Sequence, residues 1–461
     1  MACISLCMPP STRAAGGGVE TVSSLYFRNF ICFAQIFRTA LPPLCMGPWL
    51  LVRVCRRWRD IAWGYSAPWS SFMVRWPRQL EGQEDTGARL LKEALQRTGQ
   101  SGLFMIIWIR DPFPDVIIET LLQHSSQWGT VHLIEHRSAQ WARLSERNTH
   151  FPSLKSLIVN YPSSADFAII LGMFKDAPNL RSLHLDLNDT PLAHFDPEAI
   201  PFPWSHITDL NMSIMCRVEL SVKILRLCSN LETLEESCDI RRIEIGTEKP
   251  SPLMLQKFRS LDVRSSQLLP YIIFPALEHL SFALLDGIPF STKDLSQFLV
   301  CSGSQLQSLQ IGLLEQDIAD PGQLFLCMPQ LRKLVLNNRS WDNSHENTTN
   351  ILTSIYSQDL GVVLPRLSVL EVHGNAIFTG TSERCNEVLV GIIDQRWNVP
   401  RESRVTQLHQ VRIYCKSDAK WFTEYAPTLF RIERLKAFKM EGLDISISSK
   451  WQGSSSVLYL A

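Results

Sequence analysis

The pattern apolar-x-x-apolar-x-apolar returns along this chain at near-constant intervals. Clear copies are Leu154/Leu157/Val159, Leu180/Leu183/Leu185, Ile207/Leu210/Met212, Phe258/Leu261/Val263, Leu277/Leu280/Phe282, Leu306/Leu309/Ile311, Leu331/Leu334/Leu336 and Leu367/Leu370/Val372. Leu231/Leu234 opens a copy whose third position is Glu236. Weaker copies read at Leu103/Ile106/Trp108, Trp128/Val131/Leu133, Leu408/Val411/Ile413 and Leu435/Phe438/Met440. From Leu103 the first positions fall 25, 26, 26, 27, 24, 27, 19, 29, 25, 36, 41 and 27 residues apart. Leucine is common and one copy carries no weight. A long run of copies at one period calls for a unit that buries its apolar face against its own neighbours.

Most spacings lie in the range of about 20–29 residues that marks leucine-rich repeats. Between copies lie helix-like stretches such as Phe167 to Phe174 and Ser221 to Cys228, so the expected unit is one strand plus one helix. The two longest steps hold insertions, among them the polar stretch Asn337 to Asn350. The expected fold is α plus α/β: a small helical module followed by an irregular leucine-rich-repeat (strand-helix) solenoid. On a strand, successive side chains alternate faces, so the last two apolar residues of each copy point into the core and their neighbours line a concave face. The candidate substrate face is therefore His184, Asp186, Asp209, Asn211, Asp262, Arg264, Gln310, Lys333, Glu371 and His373. It is a mixed polar lining with no catalytic constellation, suited to recognising a protein surface.

Ahead of the repeats the composition differs. Residues 1–27 read as a flexible leader containing Gly16-Gly17-Gly18. A helix is expected over Phe30 to Phe37, ended by Leu41-Pro42-Pro43, because proline removes an N–H donor and restricts its predecessor. A second is expected from Pro48 to Trp63, with Leu51, Val54, Cys55, Trp58, Ile61 and Ala62 at three- and four-residue intervals. The run from Trp49 to Ala62 (WLLVRVCRRWRDIA), followed by Pro68-Trp69-Ser70-Ser71, resembles the second half of an F-box, closest to the large fungal F-box family. Segments 91–107 and 121–133 resemble later parts of the same family, with Gln127 where that family usually has arginine. The customary opening L-P-x-E-I/L is replaced by Phe30-Ile31-Cys32-Phe33, so the first helix of the module is degenerate.

The resemblance implies boundaries of 28–76 for the F-box-like module, 77–127 for a connecting segment with the first repeat, 128–440 for the solenoid and 441–461 for a tail. It also implies docking on a Skp-family adaptor, and through it a cullin ligase, by Leu41, Pro42, Trp49, Leu50, Val54, Cys55, Trp58, Ile61, Pro68 and Trp69. A module this small cannot bury its own apolar stripe, and a partner covers it naturally. The expected function is that of a substrate-recognition subunit of an SCF-type ubiquitin ligase with an unknown protein substrate. The alternative is a leucine-rich interaction scaffold acting outside a ligase, its helical head capping the solenoid.

Other classes find no support. Lys plus Arg and Asp plus Glu both number 45, so there is no basic excess of the kind a nucleic-acid partner calls for. No uninterrupted apolar run reaches the length of a membrane span, and residues 1–10 make a poor signal peptide, so a cytoplasmic or nuclear protein is expected. The 12 cysteines include no CxxC pair and are expected to be mostly buried free thiols. His132-Leu133-Ile134-Glu135-His136 matches H-x-x-E-H, but it falls in repeat register. On a strand its histidines would stand about 13 Å apart, too far for one metal. No phosphate loop or nucleophile elbow is present. The expectation is a non-catalytic chain with no metal and no cofactor.

Overall fold

Each apolar triplet becomes the start of a strand, and the strands stack in chain order into one sheet. The computed structural model describes residues 52, 54–76, 82–109, 113–135, 149–160, 164–187, 195–213, 218–236, 251–283, 291–313, 321–338, 345–356, 363–373, 383–400, 402–415, 432–451 and 454–458. The sheet has 15 strands: β1 (Ser71–Arg75), β2 (Leu103–Ile109), β3 (Trp128–Glu135), β4 (Ser156–Asn160), β5 (Ser182–Asp186), β6 (Asp209–Ser213), β7 (Thr233–Glu236), β8 (Ser260–Val263), β9 (His279–Ala283), β10 (Ser308–Leu313), β11 (Lys333–Asn338), β12 (Val369–His373), β13 (Gln410–Cys415), β14 (Asp444–Trp451) and β15 (Ser454–Leu458). Neighbours pair parallel throughout, except that β15 returns antiparallel to β14. A two-strand parallel pair, Leu253–Met254 with Ile272–Ile273, lies beside it.

Helices fill the intervals: α1 (Arg56–Gly64), α2 (Glu84–Arg97), α3 (Asp115–Leu122), α4 (Ser164–Met173), α5 (Val218–Leu227), α6 (Thr292–Ser302), α7 (Pro321–Leu326), α8 (His345–Ile355), α9 (Glu383–Trp397) and α10 (Ile432–Met440). Their starts and ends are locally encoded. Glu84 and Asp85 sit at the N-terminus of α2 and Arg97 in its last turn, each complementing the helix dipole. The Ser291 hydroxyl accepts from the Asp294 amide at 3.1 Å and caps α6.

From β4 through β13, no first-, second- or third-position apolar side chain of the copies exceeds 2 % exposure. Strand residues such as Leu183 and Leu309 share one core cluster with helix residues such as Leu171, Leu299 and Ile393. One face of the sheet is thus roofed by helices, at about 1.5–3 kcal/mol per buried large apolar side chain. Hydrogen bonds run on between units just before each strand. The Lys155 carbonyl accepts from both Arg181 and Ser182 at 3.0 Å, and the carbonyls of Arg181, Thr208, Glu232, Arg259, Glu278, Gln307, Arg332 and Ser368 each repeat that double acceptance. Asn179 and Asn230 bridge back to the carbonyls of Pro152 (2.7 Å) and Ser205 (2.8 Å).

Three expectations need correction. In β2 the core residues are Met105 and Ile107, at 0 % and 4 % exposure, while Ile106 and Trp108 lie on the opposite face. All seven residues of β2 are apolar, so alternation could not choose a face, and a register shift at Leu103/Phe104 moves it by one. Leu435/Phe438/Met440 belongs to α10, not a strand; the last strands follow at 444–451 and 454–458, so the sheet continues past residue 440. The helix expected over 48–63 is interrupted at Cys55, whose extended backbone (φ −161°, ψ 172°) precedes a fresh start at Arg56. The expected helix over 30–37 lies outside the described residues.

Candidate functional site

Two surfaces carry the residues singled out from the sequence. The first is the helical head. Trp69 closes a 3-10 turn, Ala67–Trp69, that folds its indole beneath α1; it is 1 % exposed, packs with Val52 and Ala62, and donates to the Ala62 carbonyl at 2.6 Å. The Arg97 guanidinium lies 5.2 Å from the Trp63 ring centre and 5.3 Å from that of Trp69, and is held by Glu93 at 2.7 Å. Arg59 bonds the Val52 carbonyl at 3.0 Å. Arg97, on α2, thus ties Trp63 of α1 and the Trp69 turn to its own helix.

The outer side of α1 and the residues flanking it face outward. Val54, Trp58, Ile61 and Trp63 are 65, 49, 48 and 49 % exposed and Tyr65 is 66 % exposed. Trp58 and Ile61 sit one turn apart, so they share a face, and the exposed Cys55 and the arginines 56 and 57 border it. The expected adaptor-docking set therefore divides. Val54, Cys55, Trp58 and Ile61 are on the surface. Trp69, expected there, lies in the interior because the 3-10 turn brings it under the helix. Pro68 lies in that turn, and Leu41, Pro42, Trp49 and Leu50 lie outside the described residues.

The second surface is the open face of the sheet. Strand pairing aligns Ile158 with His184, His184 with Asn211, Asn211 with Glu235 and Glu235 with Asp262, so one row crosses β4 to β8. Asp209 and Thr233 sit in the row below, and Asp186 in the row above on β5. The first two rows line a cavity of about 430 Å³ that includes Ser156, Ser182 and Ser260, and Asp186 lies outside its lining. The hydroxyls of Thr233 and Thr208 donate to the two Asp209 carboxylate oxygens, each at 2.7 Å, and the Asn211 amide donates to Glu235 Oε2 at 2.6 Å. Burial lowers the pKa of His184 below the usual value against the opposing pull of Asp186 and Glu235; burial lowers that of His132 too.

Further along, Gln310 occupies the same row on β10, and Lys333, Glu371 and His373 gather on β11 and β12. The Glu371 carboxylate is buried and meets Lys333 Nζ at 3.0 Å, an Arg412 guanidinium nitrogen at 3.5 Å and His373 Nε2 at 3.8 Å. The His373 and Tyr414 rings lie 4.3 Å apart. Arg264 follows β8, outside the cavity lining, its amide bonded to the Glu236 carbonyl at 3.2 Å.

No protein-family model matches the chain, and no curated protein matches it. Among solved structures, a chain of the crystal structure of the Rad7 and Elc1 complex in yeast is similar at 14 % identity, with 80 % of this chain and 96 % of that one covered and a TM-score of 0.27. At that TM-score the match carries no inference about fold or partner.

The sequence left out Glu235, Thr233, His132, Arg412 and Tyr414. Glu235 follows Leu234 in the copy that Glu236 spoils, and alternation from Leu234 points it to the open face. Arg412 sits between Val411 and Ile413 of a weak copy and was legible the same way. His132 lies on β3, as its register required; His136 is outside the described residues. Among the described residues no group of three His, Cys, Asp or Glu is placed to hold a metal ion, and no helix is long and apolar enough to cross a membrane. Of the described cysteines, Cys228 and Cys385 are buried, with the Cys228 thiol pushed up to about 12 by burial, whereas Cys55 and Cys301 are exposed.

Proposed function

We propose that the chain is a non-catalytic substrate-recognition subunit of an SCF-type ubiquitin ligase in the cytosol or nucleus. The outer face of α1 docks on a Skp-family adaptor, the adaptor links it to a cullin, and the open face of the sheet holds the protein substrate. The observation that carries this is the head: Trp58 and Ile61 stand exposed on a short helix, with Val54 exposed just ahead of it, and the inner side of that helix is fastened by Trp69 and Arg97. Exposed aromatic and aliphatic anchors on a small rigid unit are a signature of a protein interface. The motif around Val54, Cys55 and Trp58 supplies the class of partner.

The test is co-expression of the full chain with a Skp-family adaptor. Retention is expected for the wild type, with a loss of about tenfold or more for Val54→Ala/Trp58→Ala. Equal retention by the variant, or none by the wild type, overturns the proposal. The burial of Trp69 favours a second reading, in which the head caps a leucine-rich interaction scaffold that works outside any ligase. Wild-type protein that binds protein partners through the open face without retaining adaptor is the outcome that reading requires.

A further inference from the structure

We propose that the cavity over β4–β8 receives a lysine or arginine side chain, so that the open face selects protein segments of basic character; this rests on the open face being the substrate surface. The cavity itself carries the proposal, and its two ends differ in chemistry. At one end Ile158 offers an aliphatic wall. Across the row, Glu235 and Asp262 stand on neighbouring strands in direct register, with Asp209 on the next strand back. Parallel strands lie about 4.8 Å apart, so Ile158 and Glu235 are roughly 14 Å apart along the row. A segment laid across the strands matches that order, with an aliphatic side chain at Ile158 and a lysine or arginine head among the carboxylates.

Two of the carboxylates, Asp209 and Glu235, are oriented in advance by neutral groups. Thr208 and Thr233 hydroxyls hold Asp209, and the Asn211 amide holds Glu235. Such donors fix the acceptor geometry without neutralising its charge. His184 lies in the same row, and its burial keeps it in the neutral form, so it adds no competing cation at neutral pH. Lys333 and Arg412 stand three and five strands beyond β8 and are engaged by Glu371. An acidic or phosphorylated segment would meet like charge in this cavity.

The probe is a fluorescein-labelled Gly-Ser peptide carrying three spaced arginines, with matched peptides carrying three glutamates or three glutamines, read by fluorescence anisotropy on the full chain. The arginine peptide is expected to bind and to lose about tenfold or more in affinity to Asp209→Asn/Glu235→Gln. It is expected to lose nothing to Glu198→Gln/Glu402→Gln, which removes two exposed charges elsewhere. Equal loss in both variants, no loss in either, or binding of the glutamate or glutamine peptide as tight as the arginine peptide overturns the proposal. Should the double variant melt early, Asp262→Asn carries the same expectation. Adaptor retention is measured on the same samples. Retained adaptor with no arginine discrimination removes the cavity assignment alone, whereas discrimination without adaptor removes the ligase assignment and leaves the cavity.

Discussion

The Trp69 indole donates to the Ala62 carbonyl at 2.6 Å, while Trp58, one turn earlier on the same helix, stands half in solvent. Two tryptophans of one motif thus do opposite things. Trp69→Phe keeps the ring in place and strands a buried carbonyl, so it is expected to cost about 1–3 kcal/mol. Trp58→Ala is expected to change stability by no more than about 0.5 kcal/mol while removing adaptor retention. Urea unfolding followed by far-UV circular dichroism separates the two.

Glu236 occupies a core position and its pKa is raised by burial to about 7, with Ser221 bonding to it and pulling the other way. A carboxyl whose folded pKa lies above its unfolded value binds more protons when folded. Its contribution is fully present below pH 4.5, the unfolded value, and is lost as pH rises through about 7. Glu236→Gln carries no charge to bury. Its stability relative to wild type is expected to rise between about pH 5 and pH 8 by roughly 3 kcal/mol. Thermal midpoints across that range that run parallel for the two proteins would refute this.

A Cβ at Gly87 on α2 would lie 2.5 Å from the Trp76 ring, which is itself only 5 % exposed. Gly87→Ala is expected to destabilise by about 1–3 kcal/mol in spite of the roughly 1 kcal/mol that alanine gains in a helix. Gly391 makes the contrast. Its Cβ would meet the Tyr356 ring at 2.6 Å, but Tyr356 is 39 % exposed and can swing toward water. Gly391→Ala is expected to be near neutral in the same melt.

Glu371 holds Lys333 and Arg412 together from adjacent strands. Replacing it with alanine leaves two cations on the strands either side of β12 and is expected to cost about 1–2 kcal/mol, a value below that of a sealed ion pair because both cations are partly exposed. The loss should shrink when salt is raised from 0.05 to about 0.5 M, since screening relieves the remaining repulsion. A salt-independent loss would assign the effect to packing.

The repeat spacing made β3 through β13 legible, because the second and third positions of most of them alternate with polar residues and so declare a face; Ile158 in β4 and Val335 in β11 are the apolar exceptions. It failed where that contrast vanished. The seven apolar residues of β2 fit either face, and Leu435/Phe438/Met440 satisfies a helix as readily as a strand, since a three-residue step puts side chains together on one. The open-face residues His184, Asp209, Asn211 and Asp262 followed from alternation alone. Glu235 follows the same alternation from Leu234, but Glu236 in the third position broke the copy and kept it off the candidate face. At the head, the apolar spacing located α1 but could not foretell that a three-residue turn would carry Trp69 inside.

The double-acceptor carbonyls from Lys155 to Ser368 give the chain a ruler as well as a spine. Parallel strands lie about 4.8 Å apart, so the three steps from β1 to β4 set the near wall of the cavity roughly 14 Å from the first edge of the sheet. Because β1 to β4 also pair parallel in chain order, adding or removing one whole unit between β2 and β4 would shift whatever the cavity holds by one graduation and leave its lining untouched. Reach, on such a scaffold, is a property counted in repeats and separable from the choice of what is bound.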